Sequence, residues 1–262
     1  MTAYDTVLYD LQDQVALITL NRPERRNAMN EALNADLLAA LVEAAVDPQV
    51  RAVVVTGAGD GFCAGADLAV FQAVPTPEQV HDAILSTYLP MMETITGMKK
   101  PVLAAVNGVA AGAGASLALA RDLRVLAHDA SIMMSFSNIA LVPDAGASWL
   151  LARLVGYSRA YEIAVEGHRV PAERCLELGL ANKVAPAEQL LDVTLGWAQQ
   201  LAMRPTLTLG LTKQVMHFAL LNELPATIRE EARLQKQTVV SHDFTEGVAA
   251  FAQRRKPEFK GE

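Results

Sequence analysis

The chain has 262 residues, 52% of them hydrophobic, a net charge of −7 and two cysteines. That is one large or two small domains with ample material for a core, and the acidic balance, with Arg254-Arg255-Lys256 as the one basic block, excludes a broad nucleic-acid face. No apolar run approaches the ~20 residues of a membrane span, Cys63 and Cys175 cannot build a disulfide framework, and the start MTAYDTVLYD has no basic region ahead of an apolar one, so a cytoplasmic protein is expected.

Residues 7–10 and 15–20 read as a hairpin around Gln12-Asp13. Residues 21–29 form a polar turn with a proline and clustered arginines. From Asn30, a candidate N-cap, Leu33, Leu37, Leu41 and Ala44 keep helical spacing until Asp47-Pro48. A strand over 51–56 runs into the small-residue loop 57–68, which is either a surface turn or a row of exposed backbone donors. Residues 70–79, with Pro75 and Pro77, read as a flexible connection, and 78–96 as one helix ending near Gly97.

The stretch 101–122, PVLAAVNGVAAGAGASLALARD, reads as strand, tight turn and helix start. An apolar run over 102–106 stops at Asn107-Gly108, and small residues with Gly112 and Gly114 lead into a helix through Leu117 and Leu119. Glycine accepts positive φ and lets a ligand approach the main chain, and a first helical turn leaves N–H groups unpaired. The stretch is therefore either a backbone pocket for an anion or a place of close helix–strand packing. It is not a dinucleotide fingerprint, because Leu117 stands where a third small residue belongs, and no GK[ST] marks a phosphate loop.

Residues 123–127 and 131–135 read as short strands. The following segment is mostly apolar with one acid, Asp144, ahead of a helix over 148–155. Asp144 is either the N-cap of that helix or a base in an apolar pocket, where desolvation raises its pKa toward working pH. Helices are expected over 158–166 and 171–178, closed by Gly179, then a strand over 181–184. The remainder alternates helical patterns over 188–203, 205–218, 225–240 and 245–254. The composition shift divides the chain into an α/β part, 1–200, and a helical part, 201–262, whose amphipathic helices either make subunit contacts or pack back on their own core. The five histidines show no metal-ligand spacing, so no metal is expected. Alternating strands and helices favour a doubly wound parallel sheet.

The motifs FCAGADL at 62–68, KKPVLAAVNGVAAGAGASLALARD at 99–122, LVPDAGASWLLARLVG at 141–156 and the final KPEFKG together resemble the crotonase (enoyl-CoA hydratase/isomerase) superfamily, in family order over essentially the whole length. Within it, YLPMMETITGMKKPV and SFSNIALVPDAGASWLLARLVG are most similar to the epoxyphenylacetyl-CoA isomerase branch of phenylacetate catabolism. The resemblance implies a spiral of repeated ββα units with a C-terminal helical trimerisation region, assembled as a homotrimer or dimer of trimers. It replaces the doubly wound expectation.

For chemistry, the resemblance implies an acyl-CoA thioester whose carbonyl is polarised by two main-chain N–H groups, carried over by position to Ala66 and Ala113. Coenzyme A, part of the substrate rather than a separate cofactor, would lie along Arg25 to Ala28 and Ala64, Ala66, Asp67 and Leu68, with Gly112 beside the second donor. Phe259 and Lys260 match residues that close over the nucleotide. The arginines and Lys260 read equally as solvated charges. Hydratases of the family carry two glutamates that add water, and here those positions hold Ser116 and Phe136. Asp144 remains, at a position where several isomerases keep a catalytic aspartate. The expected activity is acyl-CoA isomerisation by one base. The alternatives are an enoyl-CoA hydratase, a CoA-thioester hydrolase or dehalogenase, and a non-catalytic acyl-CoA-binding member. The acyl pocket is expected to depend on 70–87, Phe136 and Trp149.

Overall fold

The structure is a computed structural model that describes residues 4–70 and 75–262, so the expected connection over 70–79 lies partly outside the described residues. Strands β1 (Val7–Gln12) and β2 (Val15–Leu20) pair antiparallel. Asp13 (φ 47°) and Gln14 (φ 66°) between them are both left-handed, the conformation whose twist matches a two-residue hairpin. Helix α1 (Glu31–Val46) begins where Asn30 Oδ1 accepts from Leu33 N, and its expected stripe of Leu33, Leu37, Leu41 and Ala44 is buried. β3 (Ala52–Gly57) is buried along its whole length.

β4 (Gly61–Cys63) is a strand inside the expected loop. The helix expected over 78–96 is α2 (Pro77–Ala83), a π-helical turn at Ile84–Tyr88 and α3 (Leu89–Gly97). Leu89 N bonds Ile84 O, five residues back. Pro90 has no N–H and its ring crowds the carbonyl four residues earlier, which a wider turn accommodates.

The next units are β5 (Val102–Val106), β6 (Val109–Ala111) and the wholly buried α4 (Ala113–Leu119), then β7 (Leu123–Ala127) and β8 (Ser131–Met133). Helices α5 (Ala147–Val155) and α6 (Tyr157–Glu166), β9 (Arg169–Pro171), α7 (Ala172–Leu178) and β10 (Lys183–Ala185) complete the strand-bearing part. α8 (Leu190–Ala202) packs on β3, β5 and β7, and α9 (Thr206–Ala219), α10 (Leu224–Thr238) and α11 (His242–Gln253) follow.

One sheet has the order β1-β2-β3-β5-β7-β10 and the other β4-β6-β8-β9. Both orders rise without reversal, and from β3 to β8 the chain lays successive strands alternately into the two sheets as it winds one way. A doubly wound sheet reverses its order at a switch point, and the expectation drawn from alternation alone is corrected to the ββα spiral. The four strands of the second sheet, β4, β6, β8 and β9, have three residues each, too few to show a period, and only β8 falls on an expected strand, 131–135.

Charged side chains hold the C-terminal helices to the N-terminal edge of the parallel strands. Arg51, just before β3, donates from Nε to Thr206 Oγ1 (2.9 Å), from Nη1 to Phe259 O (2.9 Å) and from Nη2 to Arg204 O (2.6 Å). Buried Asp243 accepts the N–H groups of Lys260 and Gly261, each at 2.7 Å. Lys213 Nζ meets Asp122 Oδ2 at 3.0 Å and Ile95 O at 2.7 Å, and Asp122 also accepts from Val102 N. Among the described residues no helix is long and apolar enough to cross a membrane.

Candidate active site

β4 and β6 are parallel neighbours, with Cys63 opposite Ala110. Three residues beyond these partners stand Ala66 and Ala113, so two turns leave adjacent strand ends side by side, on strands ~4.8 Å apart. Ala66 forms a parallel bridge with Met29, in which Met29 N donates to Gly65 O (2.7 Å) and Asp67 N to Met29 O (3.0 Å). The bridge engages the peptide groups on either side of Ala66 and leaves its own N–H outside. Ala113 is the first residue of α4, whose leading N–H groups have no carbonyl within the helix. Among the described residues neither the Ala66 nor the Ala113 N–H donates a hydrogen bond.

Two glycines make this approach possible. Gly65 has φ +91°, and a Cβ there would lie 2.7 Å from Ala111 O and 3.4 Å from Ala113 N. A Cβ on Gly114 would meet Cys63 O at 2.3 Å. Both contacts are with backbone, which cannot swing away.

The rim is pinned by side chains that the sequence reading passed over. Arg22 Nη2 pairs with Asp67 Oδ2 at 2.9 Å, and the same guanidinium bonds Ala28 O. Fully buried Asn27 donates to Ala58 O (2.9 Å) and Gly61 O (2.8 Å), and Asn107 Oδ1 accepts Gly57 N at 3.1 Å. A single asparagine in a tight turn was the available signal. The Asp67 carboxylate therefore faces inward and Ala28 is buried, while Arg25, Ala64, Ala66 and Leu68 are exposed along the same edge.

The structure brings Arg25, Ala28, Ala64, Ala66, Asp67, Leu68, Gly112 and Ala113 to one end of the second sheet. It does not bring Phe259 and Lys260 there. Arg51 and Asp243 hold them at the start of β3, a six-residue strand whose other end, Gly57, lies against Asn27 and Gly61. Six strand residues span ~20 Å.

Asp144 precedes α5, but the helix is capped by Gly146 (φ +78°) without any side-chain bond, and Ala147 N takes the Asp144 main-chain carbonyl at 2.9 Å. The capping reading is thereby corrected. Ser116, one turn beyond Ala113 on α4, donates from Oγ to Asp144 O at 3.1 Å and so ties the acid's backbone to the donor helix. The carboxylate Oδ1 is buried without a hydrogen-bond partner, and burial raises the Asp144 pKa to about 6. Ser116 and Phe136 are both buried, and the Phe136 ring stands 4.0 Å from where a Gly112 Cβ would be. Tyr88, buried at the end of the π turn, was not anticipated. Burial pushes its hydroxyl pKa up, and the Asp144 charge adds to the shift. Trp149 turns away from this site and meets His217 edge-on at 6.3 Å, because α5 presents it toward α9. Among the described residues no group of three or more His, Cys, Asp or Glu side chains is placed to hold a metal ion.

A family model described as enoyl-CoA hydratase/isomerase matches residues 10–262. The chain is 39% identical over 257 residues to the 1,2-epoxyphenylacetyl-CoA isomerase of Escherichia coli (strain K12), covering 97% of this chain and 98% of that one. It is 40% identical over 259 residues to a protein of Rhodobacter capsulatus named "Probable enoyl-CoA hydratase", covering 99% of each. The crystal structure of an enoyl-CoA hydratase from Polaromonas sp. JS666 superposes with a TM-score of 0.92 at 38% identity, covering 97% of this chain and 99% of that one.

Proposed function

The chain belongs to the enoyl-CoA hydratase/isomerase family, and within it we propose an acyl-CoA isomerase that works through an enolate with Asp144 as its one base. The thioester oxygen accepts the N–H groups of Ala66 and Ala113. Asp144 takes a proton from the carbon next to the carbonyl, the charge moves onto that oxygen, and the same carboxyl returns the proton farther along the chain. For a 3-enoyl-CoA the proton leaves C2 and arrives at C4, giving the 2-enoyl-CoA with no water consumed. For a ring epoxide of phenylacetyl-CoA the product is the oxepin thioester. Each oxyanion donor is worth ~3–4 kcal/mol in such a transition state.

The observation that carries this reading is the buried, unpartnered Asp144 Oδ1, a base near working pH tied to the donor helix. The absence of a carboxylate at Ser116 and Phe136 speaks against efficient hydration, and the E. coli isomerase supports the same choice. The hydratase name of the Rhodobacter relative stands for the alternative. Coenzyme A is expected along Arg25, Ala28 and the exposed edge of 64–68. Phe259 and Lys260 reach a nucleotide only from a second copy, which fits a homotrimer or dimer of trimers. Exposed Leu224 and Phe251 on the C-terminal helices also favour self-association.

The test is double-bond migration and α-proton exchange on a 3-enoyl-CoA beside hydration of crotonyl-CoA, in the native protein and Asp144→Asn. Migration lost in the variant with negligible hydration in both is the expected result. Hydration matching migration, or indifference to the change, overturns the one-base isomerase.

A further inference from the structure

On the face of α5 that carries Trp149, Leu150 and Leu154, this helix, α9 and the turn after α4 bound a cavity of about 540 Å³. Its walls are largely apolar, yet Arg121, Arg124, Arg153 and Lys213 line it against a single acid, Asp122. Three of these cations are accounted for. Lys213 is paired with Asp122 at 3.0 Å, Arg124 donates to the carbonyls of Leu180, Arg121 and Leu119, and Arg153 lies exposed over the Trp149 ring at 4.1 Å.

Arg121 is different. It is 2% exposed and bonds Leu117 O through Nη1, but its Nε and Nη2 have no partner. Capping the last carbonyls of α4 explains one nitrogen and leaves the other edge of the guanidinium idle. Burial lowers the Arg121 pKa only to about 9, so the group is still a cation at neutral pH. Asp122 is the one acid that acts on it and is already bonded to Lys213, and a buried guanidinium with two idle donors is costly to fold around unless an anion completes it.

The geometry points to a second ligand site in this cavity for an amphipathic carboxylate, a free medium-chain or arylalkyl acid, whose two oxygens take Arg121 Nε and Nη2 and whose apolar body lies along Leu150, Leu154, Leu209 and Met216. The Nε–Nη2 edge is the fork that matches a carboxylate in two parallel bonds. Because Asp122 is already paired with Lys213, a carboxylate for the idle edge of Arg121 has to come from the ligand. The volume is within the range of small-molecule sites.

Trp149 lines the cavity and Trp197, the other tryptophan, does not, so a Trp197→Phe background makes Trp149 the single reporter. Decanoate and decanol would be titrated against its emission in the assembled protein under saturating coenzyme A, which keeps the thioester site occupied. The expected result is saturable decanoate binding at least tenfold tighter than decanol. Arg121→Met should erase the preference, and Leu154→Trp, measured by calorimetry, should block both ligands by filling the space. If Arg121→Met fails to fold by circular dichroism, Arg121→Lys keeps a charge without the fork and should weaken decanoate alone. Absence of decanoate binding overturns the proposal, including the case in which a carboxylate of a second copy already holds Arg121. So does equal affinity for the acid and the alcohol in the native protein.

Discussion

Beyond the C-terminal ends of β4 and β6 the main-chain N–H groups of Ala66 and Ala113, framed by glycines, are the unpaired donors to which the proposed function gives the substrate carbonyl. At the N-terminal ends of β3, β5 and β7 the working parts are long charged side chains, Arg51, Lys213 and Asp122, which fasten the C-terminal helices. The first end is damaged by adding atoms and the second by removing them. Chemistry and cohesion therefore have different mutational signatures in one sheet system, and Asp144 is the exception that puts a side chain among backbone donors.

The largest effect is expected from that exception. Asp144→Asn should lower kcat for double-bond migration, measured by the absorbance of the conjugated product, by at least ~10³-fold, with a thermal midpoint at neutral pH no lower than that of the native protein. A variant retaining a tenth of native activity would break the contrast, because the site would then be carried by backbone alone. Next, Gly114→Ala should cost about 10²–10³ in kcat/KM, the loss of one oxyanion donor, since the new methyl meets Cys63 O. Native kinetics in a folded Gly114→Ala protein would show that the close approach is mere packing.

The pH profile sharpens the role of Asp144. Its folded pKa is raised to about 6, so the base form is lost as pH falls through that value. The plot of log kcat/KM should be flat above about pH 7 and drop ~tenfold per unit below pH 6. The same shift means the fold binds this proton more tightly than the unfolded chain, so Asp144 contributes stability at low pH that is lost as pH rises through about 6. Flatness down to pH 4.5 would assign the base elsewhere.

The opposite end should respond in stability. Arg51→Ala removes three hydrogen bonds to Thr206, Phe259 and Arg204 and should cost ~2–3 kcal/mol in urea unfolding, with native turnover per folded molecule if the tail acts only as a fastener. The smallest effect is expected from Ser116→Ala, ~1 kcal/mol or less in activation free energy, because Ser116 reaches the main-chain carbonyls of Asp144 and Gly112 and not the Asp144 carboxylate.

The residues of the two donor turns carried two readings each, and the positions Ala66 and Ala113 came from the family resemblance, whereas the Asn30 cap and the Gly179 stop were legible because capping is local. Asp144 carried two local readings, and the choice between them came from Gly146 and Ser116, which act only once α4 and α5 pack. Apart from β8, the second sheet was hidden by the brevity of its strands, and the π turn by a helical pattern that continues through Pro90. The seat of Phe259 depends on Arg51, 208 positions away, a pairing no spacing rule reaches.

The register of Cys63 with Ala110 has a further consequence. Both donors follow that pair by three residues, so their mutual placement is a matter of counting. Inserting or deleting one residue in either turn would slide one donor past the other by ~3.3 Å, beyond what a shared oxygen can bridge. Exchange of the exposed Ala66 side chain leaves its peptide N–H in place. Drift in this region is thus free at the Ala66 side chain but barred at Gly65 and Gly114 and forbidden in length, and transplanting the site onto another scaffold would mean conserving an interval together with its two glycines.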